Sequence, residues 1–351
     1  MKISIASSEA PWSLPDELCP DIYFTPGYGL AAASTRNGEW QCVHWDGDIM
    51  VPYVVTDVVG EYRDAASPYG YSGIHIASGC TAGDLAEFWH AARDHWRSLG
   101  LVAMFFRLSP LDEPSARRFA TLDGVRLTRR GDTVTVPTGA GPDAVWSAME
   151  GRSRTAVRKA RRLGMVASLR PVAAEDLVPS APFRRLYEST MKRVGSGSGY
   201  LFPNSYYETL RAGLGAGLMV AEVRDSCGDT VAAALVLAHA DRAHYHLAGS
   251  DPAGARDGAN NLLLWTILEW AAESGRSAVH LGGGIGAEDS LFQFKRSFGG
   301  IRTPFQTGAL VIDPDAYGLL TERRAEELAL TPTDLIARDY FPAYRCGSQL
   351  V

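Results

Sequence analysis

The spacing of apolar residues along the first half of the chain predicts an alternation of strands and helices. Residues 40–57 form two apolar strands around the hairpin dipeptide Asp46-Gly47. Residues 84–99 repeat apolar side chains at helical spacing, and Gly100 follows them as a stop. A short helix and a further strand are predicted after the continuous apolar strand at residues 101–107.

The second half of the chain repeats this order. Helices are predicted at residues 182–193 and 204–213, antiparallel strands within residues 218–249, an apolar helix at residues 260–274 and a strand at residues 277–281. Antiparallel strands, a long helix, a strand, a short helix and a strand therefore occur twice. The pattern predicts an α/β (α+β) protein of two similar domains, each a mixed, largely antiparallel sheet flanked by helices.

Glycine and proline residues between residues 137 and 142 interrupt both periodicities and mark the expected domain boundary. We expect a first domain over residues 1–140 and a second domain over residues 141–310. Residues 311–351 have helical patterning without strands of their own, so we expect them to complete the first domain as a helical tail.

Composition places the chain among ordinary globular proteins. Its 351 residues are 46% hydrophobic and 21% charged, and no apolar run reaches the length of about 18 residues that a transmembrane helix needs. The N-terminal residues lack the pattern of a signal peptide, so we expect a cytoplasmic protein without membrane insertion. We also expect a monomer. The five cysteines have no metal-binding spacing, and we expect free thiols, no metal and no cofactor. A net charge of -6 argues against nonspecific coating of nucleic acid.

Residues 280–300, HLGGGIGAEDSLFQFKRSFGG, carry the most distinctive pattern in the chain. An apolar strand ends in three glycines, and a short helix follows, for which Ser290 and Gln293 have the spacing of a capping box. This helix contains Phe294 and Lys295. Lysine is rare here, because only four of the 34 basic residues are lysines, which suggests a need for a compact ammonium group. A solvated helix face is the alternative interpretation.

This strand, its glycine break and the F-K-x-x-F-G-G pattern of residues 294–300 resemble the C-terminal signature of the Fem family. Members of that family are aminoacyl-tRNA-dependent peptidyl transferases built on a doubled GNAT fold. Residues 67–73, SPYGYSG, resemble a first-domain segment of the family. Residues 186–193, with Tyr206 and Tyr207 downstream, resemble the start of its second domain. The resemblance implies two tandem GNAT-like domains, the second of which carries the donor site.

Lys295 is the leading catalytic candidate. An amine that attacks an aminoacyl ester creates negative charge on the carbonyl oxygen, and a fixed cation near that oxygen lowers the barrier. The resemblance implies that Phe294 and Lys295 line the donor channel, and that the Tyr245 hydroxyl contacts substrate. His244 and His246 alternate with Tyr245 on a predicted strand, so the two imidazoles should face the side opposite the tyrosine. Both a half-exposed strand face and a cleft-lining strand fit this alternation.

Further substrate-binding residues follow from the resembling segments and from the end of the strand before the glycine loop. They are Arg193, Tyr206, Tyr207, Tyr69, Tyr71 and His280. Packing and acceptor contact are equally open for His280. The family lysine that contacts the phosphate of a cell-wall precursor falls near Ala32, which leaves the identity of the acceptor open.

Residues 152–162 contain six cations in eleven positions, which stand out against the negative net charge. The run predicts contacts with the phosphates of a tRNA arm, and a solvated helix face is again the alternative. The predicted tRNA-binding residues are Arg154, Arg158, Lys159, Arg161 and Arg162.

These features together predict an aminoacyltransferase that forms an amide bond. Its donor would be aminoacyl-tRNA, and its acceptor an amine-bearing small molecule or peptide, such as a cell-wall precursor or a specialised metabolite. The alternative is an acyl-CoA-dependent GNAT N-acyltransferase. For that alternative, residues 251–261 only approximate the R-x-x-G-x-G/A loop, and Asp257 adds a negative charge where phosphate would bind. A non-catalytic binding protein is a third hypothesis.

Overall fold

A computed structural model describes residues 3–10, 18–284 and 289–347. The chain divides into two compact units. Unit 1 comprises Met1–Arg130 and Phe305–Val351, and unit 2 comprises Gly131–Pro304. The domain limits expected from the sequence, at residues 140–141 and 310–311, remain a prediction.

The described residues form strands and helices in regular alternation. The strands are β1 (Ser4–Ser7), β2 (Glu39–Trp45), β3 (Ile49–Val59), β4 (Tyr62–Ala66), β5 (His75–Ile76), β6 (Leu101–Arg107), β7 (Val125–Pro137), β8 (Val166–Pro171), β9 (Leu218–Arg224), β10 (Thr230–His239), β11 (Arg242–Ser250), β12 (Ala278–Gly282) and β13 (Ile301–Val311). The helices are α1 (Pro26–Ser34), α2 (Ala82–Ser98), α3 (Glu113–Phe119), α4 (Pro142–Ala148), α5 (Gly151–Arg162), α6 (Pro182–Arg193), α7 (Asn204–Leu214), α8 (Pro252–Arg256), α9 (Ala259–Glu273), α10 (Ser290–Arg296), α11 (Pro314–Glu327) and α12 (Pro332–Ala337).

The two units have the same order of strand pairing. In unit 1, β1 to β4 are antiparallel neighbours, β6 is parallel to β4, and β13 is antiparallel to β6. In unit 2, β8 to β11 are antiparallel neighbours, β12 is parallel to β11, and β7 is antiparallel to β12. Each unit therefore has a mixed, largely antiparallel sheet flanked by helices, which confirms the fold class predicted from the sequence.

Helix α2 shows how the apolar pattern forms the core of unit 1. Thr81 and Asp84 form a capping box at its start, which satisfies two of the free N–H groups there. The predicted apolar face is buried in the core with residues of the sheet. Its members are Leu85, Phe88, Trp89, Ala92 and Trp96. The C-terminal tail also packs in unit 1, where Leu320 and Tyr344 contact the cluster that contains Val102.

Helix α9 is apolar nearly all round and is buried in unit 2, as its sequence predicted. It packs with α4, α5 and α10 against one face of the sheet. Helix α6 packs against β10 and β11. Its approach requires a glycine on β11, because a Cβ at Gly249 would lie 2.3 Å from the carbonyl carbon of Leu186.

The parallel strand pairs of the two units differ at their ends. In unit 1, the pairing of β4 with β6 continues to Ala66, and Ser67 N then donates to Phe105 O at 2.8 Å. In unit 2, among the described residues, the pairing of β11 with β12 ends at His244 and His280, although β11 continues to Ser250. Among the described residues, the parallel pairing of unit 2 therefore stops before either of its strands ends, whereas the pairing of unit 1 continues to the last residue of β4.

Within the described ranges, no helix combines the length and the hydrophobicity needed to cross a membrane.

Candidate functional site

Helix α10 begins under a different cap from the predicted one. The N-cap is Asp289, whose side chain accepts a hydrogen bond from Phe292 N at 2.8 Å. The predicted capping box of Ser290 with Gln293 is therefore wrong, because Ser290 is already the first helical residue. A carboxylate at this position accepts the bond and also interacts favourably with the positive end of the helix.

The two glycines of the F-K-x-x-F-G-G pattern have separate roles. Gly299 has a φ of 81°, the left-handed conformation that commonly ends a helix. Gly300 lies so close to Val134 that a Cβ would fall 2.2 Å from a methyl carbon of that side chain. The pattern therefore ends α10 and lets the following chain approach β7.

Lys295 is buried, with 7% of its surface exposed. Its Nζ donates a hydrogen bond to the carbonyl oxygen of Gly283, the residue that follows β12, at 2.6 Å. Burial lowers the pKa of Lys295 to about 8, and the Asp289 carboxylate opposes this shift. The ammonium is thus charged at neutral pH but loses its proton at a lower pH than an exposed lysine does. The solvated-face interpretation of this helix is wrong for Lys295.

Tyr245 lies on β11 directly after the last residue that pairs with β12. Its ring is half-buried and packs against the apolar cluster that includes α9. Burial raises the pKa of the Tyr245 phenol, so the hydroxyl remains a neutral hydrogen-bond donor. Its position where the pairing of β11 with β12 ends is compatible with the predicted contact to substrate, which remains a prediction.

Three of the histidines of unit 2, namely His244, His246 and His280, lie against neighbouring side chains. His244 and His280 are paired in register, and their buried rings meet edge to face with centroids 5.6 Å apart. His246 Nε2 lies 2.7 Å from the hydroxyl of Tyr206. Burial, and secondarily the nearby His244, lowers the pKa of His246 to about 3. The imidazoles therefore face away from the cluster that contains Tyr245, as predicted, and the burial of His280 supports packing rather than acceptor contact.

Two predicted substrate-binding tyrosines lie in an aromatic core. Tyr206 and Tyr207 on α7 are each 1% exposed. The guanidinium of Arg184 lies 4.0 Å from the centroid of the Tyr207 ring, and burial raises the pKa of the Tyr207 phenol. Arg193 is exposed at the end of α6, and its Nη2 donates to the carbonyl oxygen of Ser250 at 3.2 Å. These contacts hold α6 and α7 on the sheet, and the predicted contacts to substrate remain untested.

The remaining predicted substrate residues, Tyr69 and Tyr71, lie in unit 1. Tyr69 is 39% exposed, and the Arg107 guanidinium lies 5.4 Å from its ring centroid and 5.2 Å from that of Phe305. Arg107 Nε donates to Gly70 O at 2.9 Å. Tyr71 meets Phe305 edge to face. Sequence reasoning missed Arg107, although a cation at the end of the apolar strand β6 was a visible signal.

The basic run forms α5, but its cations do not act as one surface. Arg154 Nη1 donates to the carbonyl oxygens of Trp146, Ser147 and Met149 at the end of α4. Arg154 therefore caps the C-terminus of the neighbouring helix α4, a contact that the sequence did not indicate.

Lys159 also makes its polar contacts within unit 2. Its Nζ lies 2.8 Å from the Asp257 carboxylate and donates to the Arg256 carbonyl oxygen at 3.1 Å. Next to this pair, a Cβ at Gly258 would lie 2.5 Å from the carbonyl oxygen of Ala156. Helix α5 therefore covers the first residues of α9.

Three of the five predicted tRNA-binding residues are exposed, namely Arg158, Arg161 and Arg162. Arg158 lies 5.3 Å from the ring centroid of Trp146, and Arg161 is 3.7 Å from the Glu269 carboxylate. Loose surface contacts of this kind contribute little to stability. The predicted tRNA contact therefore rests on these three residues.

A cavity of about 420 Å³ lies in unit 2 where the beginnings of α5 and α9 meet α10. Arg152 and Ser153 of α5, Asn261 of α9 and Gln293 and Phe294 of α10 contribute to its walls. The sequence indicated Phe294 but not its neighbours, because only the folded chain brings these three helices together. In the described part of the chain, no three His, Cys, Asp or Glu residues form a cluster suited to a metal ion.

One family model and several solved structures are similar to this chain. Residues 149–296 match the family model described as an acetyltransferase (GNAT) domain. Among solved structures, FemX is 15% identical, with a TM-score of 0.66 over 87% of this chain and 96% of its own. No curated protein sequence matches the chain.

Two further solved structures have a similar fold. The C-terminal domain of a putative lysylphosphatidylglycerol synthetase from Agrobacterium fabrum is 15% identical, with a TM-score of 0.52 over 84% of this chain and 91% of its own. L-PGS from Bacillus licheniformis is 16% identical, with a TM-score of 0.50 over 82% of this chain and 92% of its own. Residues 149–296 therefore match a GNAT domain. The chain as a whole has a fold similar to that of FemX, in agreement with the two tandem GNAT-like domains that the resemblance implied.

The state of Lys295 can be measured directly, because the chain has only four lysines. In NMR of protein labelled with ¹³C-lysine, we expect one side-chain signal to titrate with a midpoint of about 8, since burial disfavours the ammonium. That signal should be absent in Lys295→Arg and retained in Lys192→Arg, which removes an exposed lysine. A midpoint for Lys295 at the ordinary value of about 10.4 would contradict the buried site.

Proposed function

We propose that the protein forms an amide bond by moving an amino acid from aminoacyl-tRNA to an amine of a small-molecule or peptide acceptor. The observation that carries this proposal is the buried ammonium of Lys295, held on Gly283 O just past the end of β12. The GNAT domain and the early separation of β11 and β12 support acyl transfer in this unit.

The reaction needs little from the protein beyond positioning and one fixed charge. The acceptor amine attacks the carbonyl carbon of the aminoacyl ester and loses a proton, and the ribose oxygen leaves and gains one. Negative charge develops on the carbonyl oxygen in between, where the Lys295 ammonium stabilises it. One N–H of Lys295 is used by Gly283, so the ammonium is oriented before substrate arrives.

An aminoacyl-tRNA donor is better supported than acyl-CoA. GNAT domains that use acyl-CoA bind its diphosphate at the N-terminus of a helix, where backbone N–H groups are free. At the equivalent helix here, α5 lies over Gly258, and Asp257 is paired with Lys159. The exposed arginines of α5 instead offer cations to a longer polyanion. The name of one neighbour, a putative lysylphosphatidylglycerol synthetase, also describes an aminoacylated product.

The acceptor is less constrained than the donor. Ala32, the position that aligns with the phosphate-contacting lysine of family members, is buried in α1 with 7% exposure. It therefore offers no cation to a nucleotide-linked precursor. Tyr69, Tyr71 and Arg107 supply exposed and half-buried polar groups in unit 1, and we propose them as acceptor contacts.

A donor assay tests the proposed function. The full-length protein is incubated with a panel of amines and either a pool of tRNA charged with radioactive amino acids or radioactive acetyl-CoA. We expect a product with the charged tRNA that survives mild alkali, because an amide resists the base that hydrolyses the ester. Uncharged tRNA mixed with free amino acids is the control. A product formed from acetyl-CoA alone would overturn the proposed donor.

The tRNA contact can be tested separately on α5. Changing Arg158, Arg161 and Arg162 together to Gln should reduce the slope of log affinity against log salt by about 2 to 3, since each lost phosphate contact contributes about 0.7 to 0.9. Thermal unfolding should change little, because exposed charges contribute little to stability. Salt-dependent binding of tRNA is the measurement.

Arg154→Gln is the matched comparison within the same helix. It should lower the melting temperature, because it removes donors to the carbonyl groups at the end of α4, and it should leave the salt slope unchanged. A triple variant whose salt slope equals that of the wild type would show that these arginines only form a solvated face of α5.

A further inference from the structure

The face of the unit 1 sheet that lies opposite helix α2 carries several arginines. Side chains alternate along a strand, and Met104 and Phe106 of β6 belong to the core that α2 covers. Phe105 and Arg107 therefore point to the other face. The C-terminal tail covers part of this face, because Phe341 packs on Phe105 with ring centroids 6.4 Å apart. Arg107 and the tail thus share one face of the sheet.

Two further arginines on this face are balanced by carboxylates. Arg345 of the tail donates from Nε and Nη2 to the two carboxylate oxygens of Asp64, each at 2.7 Å. Arg130 Nη1 lies 2.5 Å from the Asp339 carboxylate. A guanidinium that pairs with a carboxylate leaves no net charge, so these two pairs are complete without a ligand.

Arg107 has no such counter-charge. Its Nε donates to Gly70 O at 2.9 Å, and its guanidinium lies over the rings of Tyr69 and Phe305. It forms no ion pair with a described residue, and its two Nη groups have no hydrogen-bond acceptor there. The guanidinium is therefore half-buried and held in one orientation, with N–H groups that remain able to bind an anion.

Arg36 follows α1 in the turn before β2, beside the pair of Arg345 with Asp64. A Cβ at Gly38 in the same turn would lie 3.1 Å from the methyl carbon of Thr56. The Thr56 hydroxyl in turn accepts a hydrogen bond from Arg345 Nη2 at 3.1 Å. The turn that carries Arg36 therefore lies next to the residues that bind Arg345.

Arg36 is the second cation without a counter-charge. Its side chain is exposed, and its guanidinium forms no hydrogen bond or ion pair with a described residue. Partial burial lowers the pKa of this guanidinium, and the nearby cations Arg345 and Arg107 lower it further. Tyr340 and Asp64 act in the opposite direction. Because Arg345 is already paired, an anion between Arg36 and Arg107 would remove a repulsion that the chain itself leaves unrelieved.

The alternative is that both arginines are ordinary surface charges. An exposed arginine needs no partner, and this interpretation suffices for Arg36 taken alone. It does not suffice for Arg107, because a half-buried charge is costly when nothing compensates it. Two such cations on one face, beside the proposed acceptor contact Tyr69, instead fit a site in which the ligand brings the negative charge.

We propose that Arg36 and Arg107 bind an oxyanion that the acceptor amine carries. Planar guanidinium groups match the oxygens of a carboxylate or a phosphate, and both of these groups offer the same chemistry here. The inference rests on the proposed function and deepens it, because it makes the acceptor an amine with a negatively charged group. A neutral amine would leave both arginines unbalanced.

The first test measures binding of phosphate, pyrophosphate and succinate to the full-length protein by isothermal titration calorimetry at constant ionic strength. We expect Arg36→Gln and Arg107→Gln each to weaken binding of the tightest anion about 10- to 100-fold, because each removes a charge-assisted hydrogen bond. Arg117→Gln on α3 removes the same charge elsewhere in unit 1, where Arg117 pairs with Glu113, and should keep the affinity. The inference fails if none of the anions binds, or if both site variants bind them as the wild type does.

Thermal unfolding separates a binding role from a structural one. Arg36→Gln should not lower the melting temperature, because no contact is lost and the repulsion from Arg107 is removed. Arg345→Gln is the comparison and should lower it, because it leaves the buried Asp64 carboxylate without its partner. A clear loss of stability in Arg36→Gln would show that this charge is structural and would contradict the inference.

The acceptor itself supplies the second test. Each amine that yields product in the donor assay is compared with a neutral form, which is the methyl ester for a carboxylate or the dephosphorylated compound for a phosphate. We expect the neutral form to have a KM about 10- to 100-fold higher with little change in kcat, and Arg36→Gln to abolish this difference. The form that is affected identifies the oxyanion as a carboxylate or a phosphate. An acceptor without either group, or equal KM values for both forms, would contradict the inference.

The two proposals can fail separately. Anion binding that depends on Arg36 and Arg107, without amide formation from any donor, would refute the proposed function and leave the anion site standing. Amide formation with equal use of charged and neutral amines would refute only the anion site.

Discussion

The hydrogen bond from Lys295 to the Gly283 carbonyl oxygen is the interaction on which the proposed site depends. Burying an ammonium group is costly unless it is hydrogen-bonded and compensated by charge, and here the carbonyl oxygen and the Asp289 carboxylate provide this compensation only in part. The incomplete compensation lowers the pKa of Lys295 to about 8. The same bond joins α10 to the end of β12, so the position of the charge and the position of the strand are set together.

The sheet supplies the second constraint. Parallel pairing of β11 with β12 stops at His244 and His280, whose buried rings occupy the last paired positions. Beyond them the strands separate, and Tyr245 lies at that point. The corresponding pair in unit 1 stays closed, because Ser67 accepts a hydrogen bond from Arg107 N at 3.2 Å and donates its own N–H to Phe105 O. Two units with the same strand order thus differ in one local feature, and this difference favours unit 2 as the donor site.

The sequence predicted those features that depend on local periodicity. Residue type and spacing predicted the apolar face of α2, the buried helix α9 and the mixed sheets. Lys295 stood out because lysine is rare in this sequence. The capping box at Ser290 was wrong because two adjacent residues can both cap a helix, and only the backbone determines which one does. The internal bonds of Arg154 and Lys159 join residues of different helices, so a charge run cannot reveal them. The cavity was missed for the same reason, since its walls come from three separate segments.

Single-turnover amide formation by Lys295 variants measures the proposed role of the buried ammonium most directly, with circular dichroism to confirm folding. We expect Lys295→Ala to lower the rate of the chemical step about 10²- to 10³-fold, the usual effect of removing one group that stabilises the oxyanion. Lys295→Arg should restore only part of the rate, because a planar guanidinium places its protons differently from a compact ammonium. A folded Lys295→Ala variant with the wild-type rate would contradict a role for this ammonium in the chemical step.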